Sequence, residues 1–300
     1  MPYAHVPVML QEILKYLSPK TGQKFIDATL GGAGYTLALA EKVGPSGRVL
    51  AVDLDELALK NAQEKITEKK LTNIILVQDN FKNLTSLVEE NFPAKTLFDG
   101  LVFDLGLSSA QLDDEARGFS FKGERPLEMA FGPQTEKSTT EIINHYPLLE
   151  LTRIFREYGE ERRAYQIAKA IVNARRLKRI KTTGDLVTII ESIVPFRFRS
   201  KIHPATKIFQ ALRMETNEEL KALAEVLPQA VKLLKPSGRL VVVSFHSGED
   251  RIVKRFFRTA ATDPKPTLKI LTKKPLIPSA AETALNPRSR SAKLRAALKL

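Results

Sequence analysis

The chain has 300 residues, of which 43% are hydrophobic and none is cysteine, so it excludes wholesale disorder, disulfides, thiolate metal sites and cysteine nucleophiles. It has no apolar run of the ~18–20 residues that span a bilayer and no signal-peptide pattern, which predicts a soluble, cytoplasmic protein without membrane contact. The net charge of +13 is uneven, because residues 153–213 carry +10, residues 251–300 carry +11, and the remainder carries −8.

Strand and helix patterns alternate through the first hundred residues. The strand-like runs are "QKFIDATL", "GRVLAVDLD", "NIILVQD" and "FDGLVFDLG", and the helix-like runs between them are "YTLALAEKV", "ELALKNAQEKITEKK" and "LTSLVEENF". Repeats of this length need right-handed crossovers, so they predict an α/β fold with a parallel, doubly wound sheet.

The alternation stops near Asp113, and helical patterns without a clear strand continue to about Phe209. A further amphipathic helix follows, then the strong strand "KPSGRLVVVSFHS", the helix "EDRIVKRFFRTA" and two candidate late strands, "TLKILTK" and "AKLRAALKL". We therefore predict a discontinuous α/β domain, residues 1–112 and 210–300, interrupted by a helical insertion, residues 113–209.

A glycine-rich stretch, "DATLGGAGYT", lies where the first strand meets the first helix of the α/β pattern. Glycines allow a ligand to approach the backbone closely, and the helix N-terminus offers free N–H groups. Asp53 lies nineteen residues after Gly34, at the end of the second strand, where a carboxylate accepts both ribose hydroxyls of an adenosine-containing cofactor. A plain structural turn is the alternative interpretation of the motif.

The details of the motif favour S-adenosylmethionine over a dinucleotide. Leu37 occupies the third glycine position of a dinucleotide fingerprint, and its bulk opposes the close packing that a pyrophosphate site uses. Asp27 opens the motif and suits a cationic ligand such as a sulfonium with an ammonium group. Asp79 and Phe81, in "VQDNF" after the third strand, add to the predicted cofactor site.

Asp104 ends the fourth apolar strand, and a charge there is costly unless the protein uses it. The carboxyl end of this strand faces the ligand crevice of an open α/β sheet. Exocyclic amines of bases are poor nucleophiles, and a hydrogen-bond acceptor on their N–H groups favours attack by the nitrogen lone pair. We predict this acceptor role for Asp104 or for nearby carbonyls, and base stacking for Phe119 or Phe121. The alternative is that Asp104 caps the following turn and that the two phenylalanines belong to the core.

His246 follows the fifth strand in the matching position. It is either a general base or a hydrogen-bonded structural residue, and the sequence leaves both open. The chain has four histidines, none at i, i+4 spacing, so no metal is expected.

The basic segments favour nucleic acid as the partner, although solvated helices or an acidic protein partner would also fit. In the insertion we expect the phosphates to be held by Arg162, Arg163, Arg175, Arg176 and Lys178.

Taken together, the motifs resemble the MraW, or RsmH, methyltransferases, which form N4-methylcytidine in bacterial small-subunit ribosomal RNA. The resemblance covers nearly the whole chain and rests on "HVPVMLQE", "DATLGGAGYT", "AVDLD", "DGLVFDLGLSSAQLDDEARGFSF", "YGEERRAYQIAKAI", "HPATKIFQALR", "SFHSGEDRIVKRFF" and "NPRSRSAKLR".

This resemblance implies a Rossmann-like methyltransferase sheet with an inserted helical domain that helps to bind RNA. It also implies a substrate, which is small-subunit ribosomal RNA or the assembled small subunit, and it leaves a homodimer open. The implied S-adenosylmethionine contacts are Ala33, Gly34, Tyr35, Asp53, Phe81, Asp104 and Gln111.

Two departures from the family pattern bear on function. The family usually has Gly-Gly-His where this chain has Ala33-Gly34-Tyr35, and its usual Leu-Asp-Met-Arg-Met-Asp is "LEMAFG" here, with Ala130 and Gly132 replacing charged residues. Two rival functions remain: a nicotinamide-dependent oxidoreductase, which the strand–helix–strand start of the chain would allow, and a non-catalytic RNA-binding assembly factor that retains the methyltransferase fold, for which the "LEMAFG" departure would mark the lost activity.

Overall fold

The computed structural model describes residues 7–107, 117–120, 123–132, 135, 137–194 and 203–300. The chain divides into two compact units, which are called the sheet unit, Met1–Ser108 with Leu220–Leu300, and the helical unit, Ser109–Glu219. The division of the structure falls at 108/109 and 219/220, whereas the sequence predicts boundaries at 112/113 and 209/210.

The strands all belong to the sheet unit, and the helices are shared between both units. The strands are β1 (Lys24–Asp27), β2 (Arg48–Asp53), β3 (Ile74–Gln78), β4 (Phe98–Asp104), β5 (Leu234–Ser244), β6 (Leu268–Ile270) and β7 (Lys293–Lys299). The helices are α1 (Leu10–Leu17), α2 (Gly34–Val43), α3 (Glu56–Glu68), α4 (Leu84–Asn91), α5 (Thr139–His145), α6 (Leu148–Glu157), α7 (Ala164–Leu177), α8 (Thr183–Ile193), α9 (Ala205–Thr216), α10 (Glu219–Leu233), α11 (Ser247–Thr262) and α12 (Ala280–Leu285).

The seven strands form one sheet in the order β3-β2-β1-β4-β5-β7-β6. The first five strands pair in parallel, and β7 pairs antiparallel with both β5 and β6. The predicted Rossmann-like sheet with a helical insertion between β4 and β5 is therefore confirmed. Its parallel part is limited to β1–β5, so the sheet is mixed rather than wholly parallel.

The central strands are buried on both faces because helices cover them. Val102 of β4 and Val241 of β5 pack in a cluster with Ile13 of α1 and Leu39 of α2. On the opposite face, Phe103 packs with residues of α4, α10 and α11. Continuous runs of β-branched and aromatic residues are typical of such doubly covered parallel strands.

Two helices of the helical unit begin at side-chain caps. Ser138 and Thr182 each form a capping box, at the start of α5 and α8, with Glu141 and Asp185 as their partners.

The predicted helices α6, α7 and α8 are confirmed, and α1, α5, α9 and α12 were not predicted. Helices of six to twelve residues give only a weak periodic signal in a sequence.

Candidate active site

The candidate site lies at the carboxyl edge of the parallel strands, where three strands end in aspartate. Asp27 ends β1, Asp53 ends β2 and Asp104 ends β4. The pairing register places Asp27 opposite Val102 and Asp104 opposite Val243 of β5. This is the edge of an open α/β sheet at which ligands bind.

Asp27 is completely buried and joins the end of β1 to the first turn of α2. Its Oδ2 accepts a hydrogen bond of 2.6 Å from Oγ1 of Thr36, and its Oδ1 accepts one of 3.3 Å from the backbone N–H of Thr29. Burial raises the pKa of Asp27 to about 7, against the lowering effect of these hydrogen bonds. Near neutral pH the Asp27 carboxyl group is therefore a mixture of its protonated and its ionised form.

Asp53 connects the glycine-rich loop to the start of α3. Its Oδ2 accepts from the Gly31 N–H at 2.8 Å, and its Oδ1 accepts from the Asp55 N–H at 2.9 Å. Burial raises the pKa of Asp53 to about 6, although both hydrogen bonds favour the ionised form. Each carboxylate oxygen has a second lone pair, so the predicted role in binding ribose hydroxyls is compatible with these contacts.

Asp104 has the most strongly raised pKa of the three carboxyl groups. Its backbone N–H donates to Oγ1 of Thr29 at 2.6 Å, but its side-chain Oδ1 is buried and has no hydrogen-bond partner among the residues described. Burial, followed by the charge of Asp27, raises the pKa of Asp104 to about 8. A buried acceptor without a donor lowers the stability of the ligand-free fold, and a bound ligand can supply the missing donor.

The three carboxyl groups of this edge have no positively charged partner among the residues that the structure describes. Within the described part of the chain, no lysine or arginine forms an ion pair with Asp27, Asp53 or Asp104. Ionisable groups with strongly shifted pKa values in such a position are typical of functional sites. The arrangement suits a ligand that brings positive charge.

The glycine-rich loop enters α2 through a strained turn. Ala33 is fully buried and has φ +66, a left-handed conformation that favours glycine. A Cβ on Gly34 would lie 2.7 Å from side-chain atoms of Pro7, so only glycine fits under the N-terminal segment. The N-cap residue Ala33 provides no side-chain cap for α2, and the backbone N–H groups of Gly34 and Tyr35 stay available to a ligand.

Tyr35 anchors the N-terminal segment beside the loop. Its hydroxyl donates to the Val8 carbonyl at 2.6 Å, so its single hydrogen is not available to Asp104. Burial and the nearby Asp104 charge hold the pKa of Tyr35 well above its usual range, which keeps the hydroxyl protonated. The loop thus contains the predicted cofactor residues Ala33, Gly34 and Tyr35. Asp53 accepts a hydrogen bond from the same loop.

Sequence reasoning missed the residues that support this loop. Thr29 and Thr36 bind Asp104 and Asp27, and Lys65 donates from its Nζ to the Gly32 carbonyl at 2.9 Å. Both threonines lie inside "DATLGGAGYT", the motif that Asp27 opens, a signal that could have been used. Lys65 comes from a separate helix, and nothing in its local sequence marks it.

Of the predicted aromatic and amide contacts, the structure describes Phe81 and Phe119. Phe81 follows β3, is partly buried, and meets Phe103 edge to face with centroids 5.7 Å apart. In the helical unit Phe119 is 6% exposed and lies 5.8 Å from the Phe131 ring, which favours the core interpretation for Phe119. Gln111 and Phe121 lie outside the described residues.

His246 is the N-cap of α11. Its Nδ1 accepts from the backbone N–H groups of Gly248 and Glu249 at 3.2 and 3.3 Å. Its Nε2 lies 3.1 Å from Oε1 of Glu249, in a poorly aligned contact. Because Nδ1 is the acceptor, the neutral ring carries its proton on Nε2, so this geometry favours the structural interpretation over the general base.

The predicted phosphate-binding residues of the helical unit fall into two groups. Arg175 donates to the carbonyls of Ile143 and Tyr146 at 2.6 and 2.7 Å, and Arg163 donates to the Ile193 carbonyl at 3.3 Å. The more exposed group is Arg162, Arg176 and Lys178, of which Lys178 also contacts Asp185 at 3.2 Å. The structure therefore leaves the second group better placed for an external polyanion.

The sequence from residue 2 to residue 300 matches the model of the MraW methylase family. This chain belongs to that family. Its relatives include the ribosomal RNA small subunit methyltransferase H of Heliobacterium mobile, 44% identical with both chains fully covered. The protein of the same name from Thermomicrobium roseum is 45% identical, over 98% of this chain and 93% of that protein.

A solved structure of an rRNA methylase from Streptococcus thermophilus is a more distant match to this MraW-family chain. It shares 11% sequence identity, with 99% of each chain covered and a TM-score of 0.48.

The unusual "LEMAFG" segment of this family member is held by contacts within the helical unit. The Phe131 N–H donates to Oδ1 of Asn217 at 2.8 Å, and Nδ2 of Asn217 donates to the Met129 carbonyl at 2.8 Å. The Phe131 ring packs beside Phe119. The segment thus has an ordered place in the fold despite its departure from the family pattern.

The described residues include no helix that is both long and apolar enough to cross a bilayer.

Proposed function

We propose that this chain transfers a methyl group from S-adenosylmethionine to the N4 amine of a cytidine in small-subunit ribosomal RNA. The observation that carries the proposal is the set of three strand-end carboxyl groups, Asp27, Asp53 and Asp104, which have no cationic partner among the described residues. The names of the family members point to the same substrate. The cytoplasm, where ribosomal subunits are found, is part of this proposal.

The residues at the sheet edge fit S-adenosylmethionine, which supplies, when bound, a methyl group on a positively charged sulfonium. The Asp104 side chain with its unpartnered Oδ1 and the buried Asp27 place at this edge two carboxyl groups that a bound cation would ionise. Asp53 would accept from the ribose hydroxyls, and Gly34 and Tyr35 at the start of α2 would offer their backbone N–H groups. Phe81 would contact the adenine, with Gln111 completing the cofactor set proposed from the family.

Asp104 would act on the nucleophile. A cation near a carboxyl group lowers its pKa, so Asp104 would be ionised when the cosubstrate is in place. The carboxylate would then accept an N–H of the cytidine amine and orient the nitrogen lone pair toward the methyl group. Orientation of two reacting groups contributes about 7–11 kcal/mol when they are well aligned.

Proton removal places no demand on a strong base, because a methylated amine is acidic enough to lose its proton to water. His246 would therefore serve the reaction by fixing the start of α11 next to the end of β5. A general-base role for His246 would need the other tautomer, in which the two backbone N–H groups lose their acceptor.

The helical unit would hold the RNA through Arg162, Arg176 and Lys178, with Arg163 and Arg175 supporting the helix ends. A base reaches the methyl group only after leaving its stack, at a cost of a few kcal/mol. Phosphate contacts would offset that cost and make binding depend on salt. Small-subunit RNA, either free or in the assembled subunit, is the proposed partner.

The test is to incubate the protein with labelled S-adenosylmethionine and small ribosomal subunits that lack the modification, then digest the RNA to nucleosides. We expect label in N4-methylcytidine, and none with the Asp104→Ala variant. Label on another nucleoside would replace the proposed target. Binding of both ligands without any transfer would favour the non-catalytic assembly factor.

A further inference from the structure

Helix α11 presents a strongly cationic face to solvent. Glu249, Val253 and Phe257 are buried, whereas the opposite side exposes the four residues that define the α11 cationic face: Arg251, Lys254, Arg255 and Arg258. Their spacing of three, one and three residues places them on one side of the helix. Like charges at these spacings repel, so the arrangement does not serve the stability of the helix itself.

The acidic residues of α11 do not compensate Lys254, Arg255 and Arg258. Glu249 accepts from the backbone N–H groups of Phe245 and His246, and Asp250 forms a bidentate pair with Arg295 at 2.7 and 3.1 Å. Over the ranges that the structure describes, Lys254, Arg255 and Arg258 have no carboxylate within ion-pair distance. The positive charges of Lys254, Arg255 and Arg258 are therefore open to an external anion.

The α11 cationic face begins at the edge that holds the candidate active site. The helix starts three residues after β5 ends, and β5 places Val243 opposite Asp104. From Arg251 to Arg258 the face extends about 10 Å along the helix, at 1.5 Å per residue. Both features belong to the sheet unit, so their relation does not depend on the helical unit.

We propose that the α11 cationic face binds backbone phosphates of the RNA next to the target cytidine, an inference that rests on the proposed function. Three of its four residues are arginine, whose forked donors match phosphate oxygens. The sheet unit would thereby hold RNA at its own catalytic edge, in addition to the contacts proposed for the insertion. The anion is assigned as RNA rather than an acidic protein because the substrate itself supplies phosphates at this edge.

The test compares two triple variants that remove the same charge. The first is Lys254→Ala/Arg255→Ala/Arg258→Ala, which keeps good helix formers on α11. The matched control is Lys20→Ala/Lys42→Ala/Lys60→Ala, three exposed lysines elsewhere in the sheet unit. Binding of small-subunit RNA is measured by fluorescence anisotropy over a salt series, and S-adenosylmethionine affinity reports that the sheet unit is intact.

We expect the α11 triple variant to lose at least about tenfold in RNA affinity at low salt. The slope of log K against log salt should become shallower by about 2, since each single-strand phosphate contact contributes roughly 0.7. S-adenosylmethionine affinity should stay within twofold of wild type, and the control variant should keep the wild-type slope.

A salt slope and RNA affinity equal to those of the control would overturn the assignment. Polyglutamate serves as a mimic of an acidic protein partner, and an α11 triple variant that loses only its binding to polyglutamate would overturn the assignment as well. Methyl transfer by the wild type, measured in parallel, separates the two proposals. An active wild type with an unchanged slope in the variant rejects only the α11 surface. Altered RNA binding in the variant, with no methyl transfer by the wild type, supports the surface and rejects the proposed reaction.

Discussion

The carboxyl edge of the sheet unit and the helical unit differ in how their charged groups are paired. In the sheet unit, three carboxyl groups end adjacent strands and have no cationic partner among the described residues. In the helical unit, Arg153 contacts Glu150, Glu157 and Glu215 at 2.9, 3.3 and 3.6 Å. The comparison shows that net charge alone does not locate function, because much of the positive charge in the insertion is used within the fold.

The sharpest test of the sheet edge is Asp104→Ala. We expect turnover to fall by at least about 100-fold, the typical effect of removing a preorganised hydrogen-bonding group from a reaction site. The measurement is single-turnover methyl transfer with saturating subunits, with Asp263→Ala, an exposed aspartate, as the control. Wild-type turnover in a folded Asp104→Ala protein would return Asp104 to the role of a turn cap.

Asp53→Ala should act mainly on cofactor binding. Losing hydrogen bonds to a charged acceptor costs about 1.5–3 kcal/mol, so the Kd for S-adenosylmethionine should rise about 10-fold to 100-fold. Calorimetric titration measures this change, and Glu56→Ala, at the exposed start of α3, is the matched control. An unchanged Kd would reject the ribose role of Asp53.

Two neighbouring arginines on α7 test which positive charges of the helical unit are used within the fold and which bind RNA. Arg175→Ala removes two hydrogen bonds to backbone carbonyls and should lower the free energy of unfolding by about 1–3 kcal/mol. Arg176→Ala, at an exposed position, should change it by no more than about 0.5 kcal/mol. Arg176→Ala should instead reduce the RNA salt slope by about 0.7. Equal destabilisation by both substitutions would contradict this division of roles.

The smallest expected effect is that of Ala33→Gly. A left-handed alanine costs about 1–2 kcal/mol, and glycine loses about 0.4–1 kcal/mol through greater freedom in the unfolded chain. The variant should therefore be more stable by about 0.5–1 kcal/mol, seen as a higher Tm. The control Ala40→Gly, inside α2 and fully buried, should be less stable by about 1 kcal/mol. A lower Tm for Ala33→Gly would show that the alanine methyl group is needed in its buried site.

Much of the fold could be predicted because its signals are local. The strand runs that became β1–β5 are apolar and bounded by turn residues, and the late strands β6 and β7 were also recognised. The antiparallel entry of β7 between β5 and β6 could not be read, because strand order depends on long-range pairing. Short helices such as α1 and α12 were missed since their periodic signal spans too few residues.

The sequence also predicted which residues end the strands at the site, but not how they interact. Asp27, Asp53 and Asp104 are recognisable as charges after apolar runs. That Asp104 lacks a hydrogen-bond partner, that Arg175 is used inside the fold, and that Lys65 supports the loop all depend on tertiary contacts. Charge counts along the chain carry no information about such pairing.

The sheet edge also has a defined pH dependence. The folded protein holds Asp104, Asp27 and Asp53 with pKa values of about 8, 7 and 6, above the ordinary value of 3.8. Because the folded state binds more protons than the unfolded state in this window, the stability of the ligand-free protein should fall as pH rises from about 4 to 8. A bound cation lowers these pKa values, so its binding should release protons and tighten with pH.

The most direct measurement is therefore calorimetric titration of S-adenosylmethionine in two buffers with different ionisation enthalpies, from pH 6 to pH 8. S-adenosylhomocysteine, which lacks the sulfonium charge, is the matched ligand. We predict proton release near pH 7 and rising affinity with pH for S-adenosylmethionine, with a clearly smaller release for S-adenosylhomocysteine. Equal proton exchange for the two ligands, or an affinity for S-adenosylmethionine that is flat across this range, would contradict a sheet edge whose uncompensated carboxyl groups bind the sulfonium.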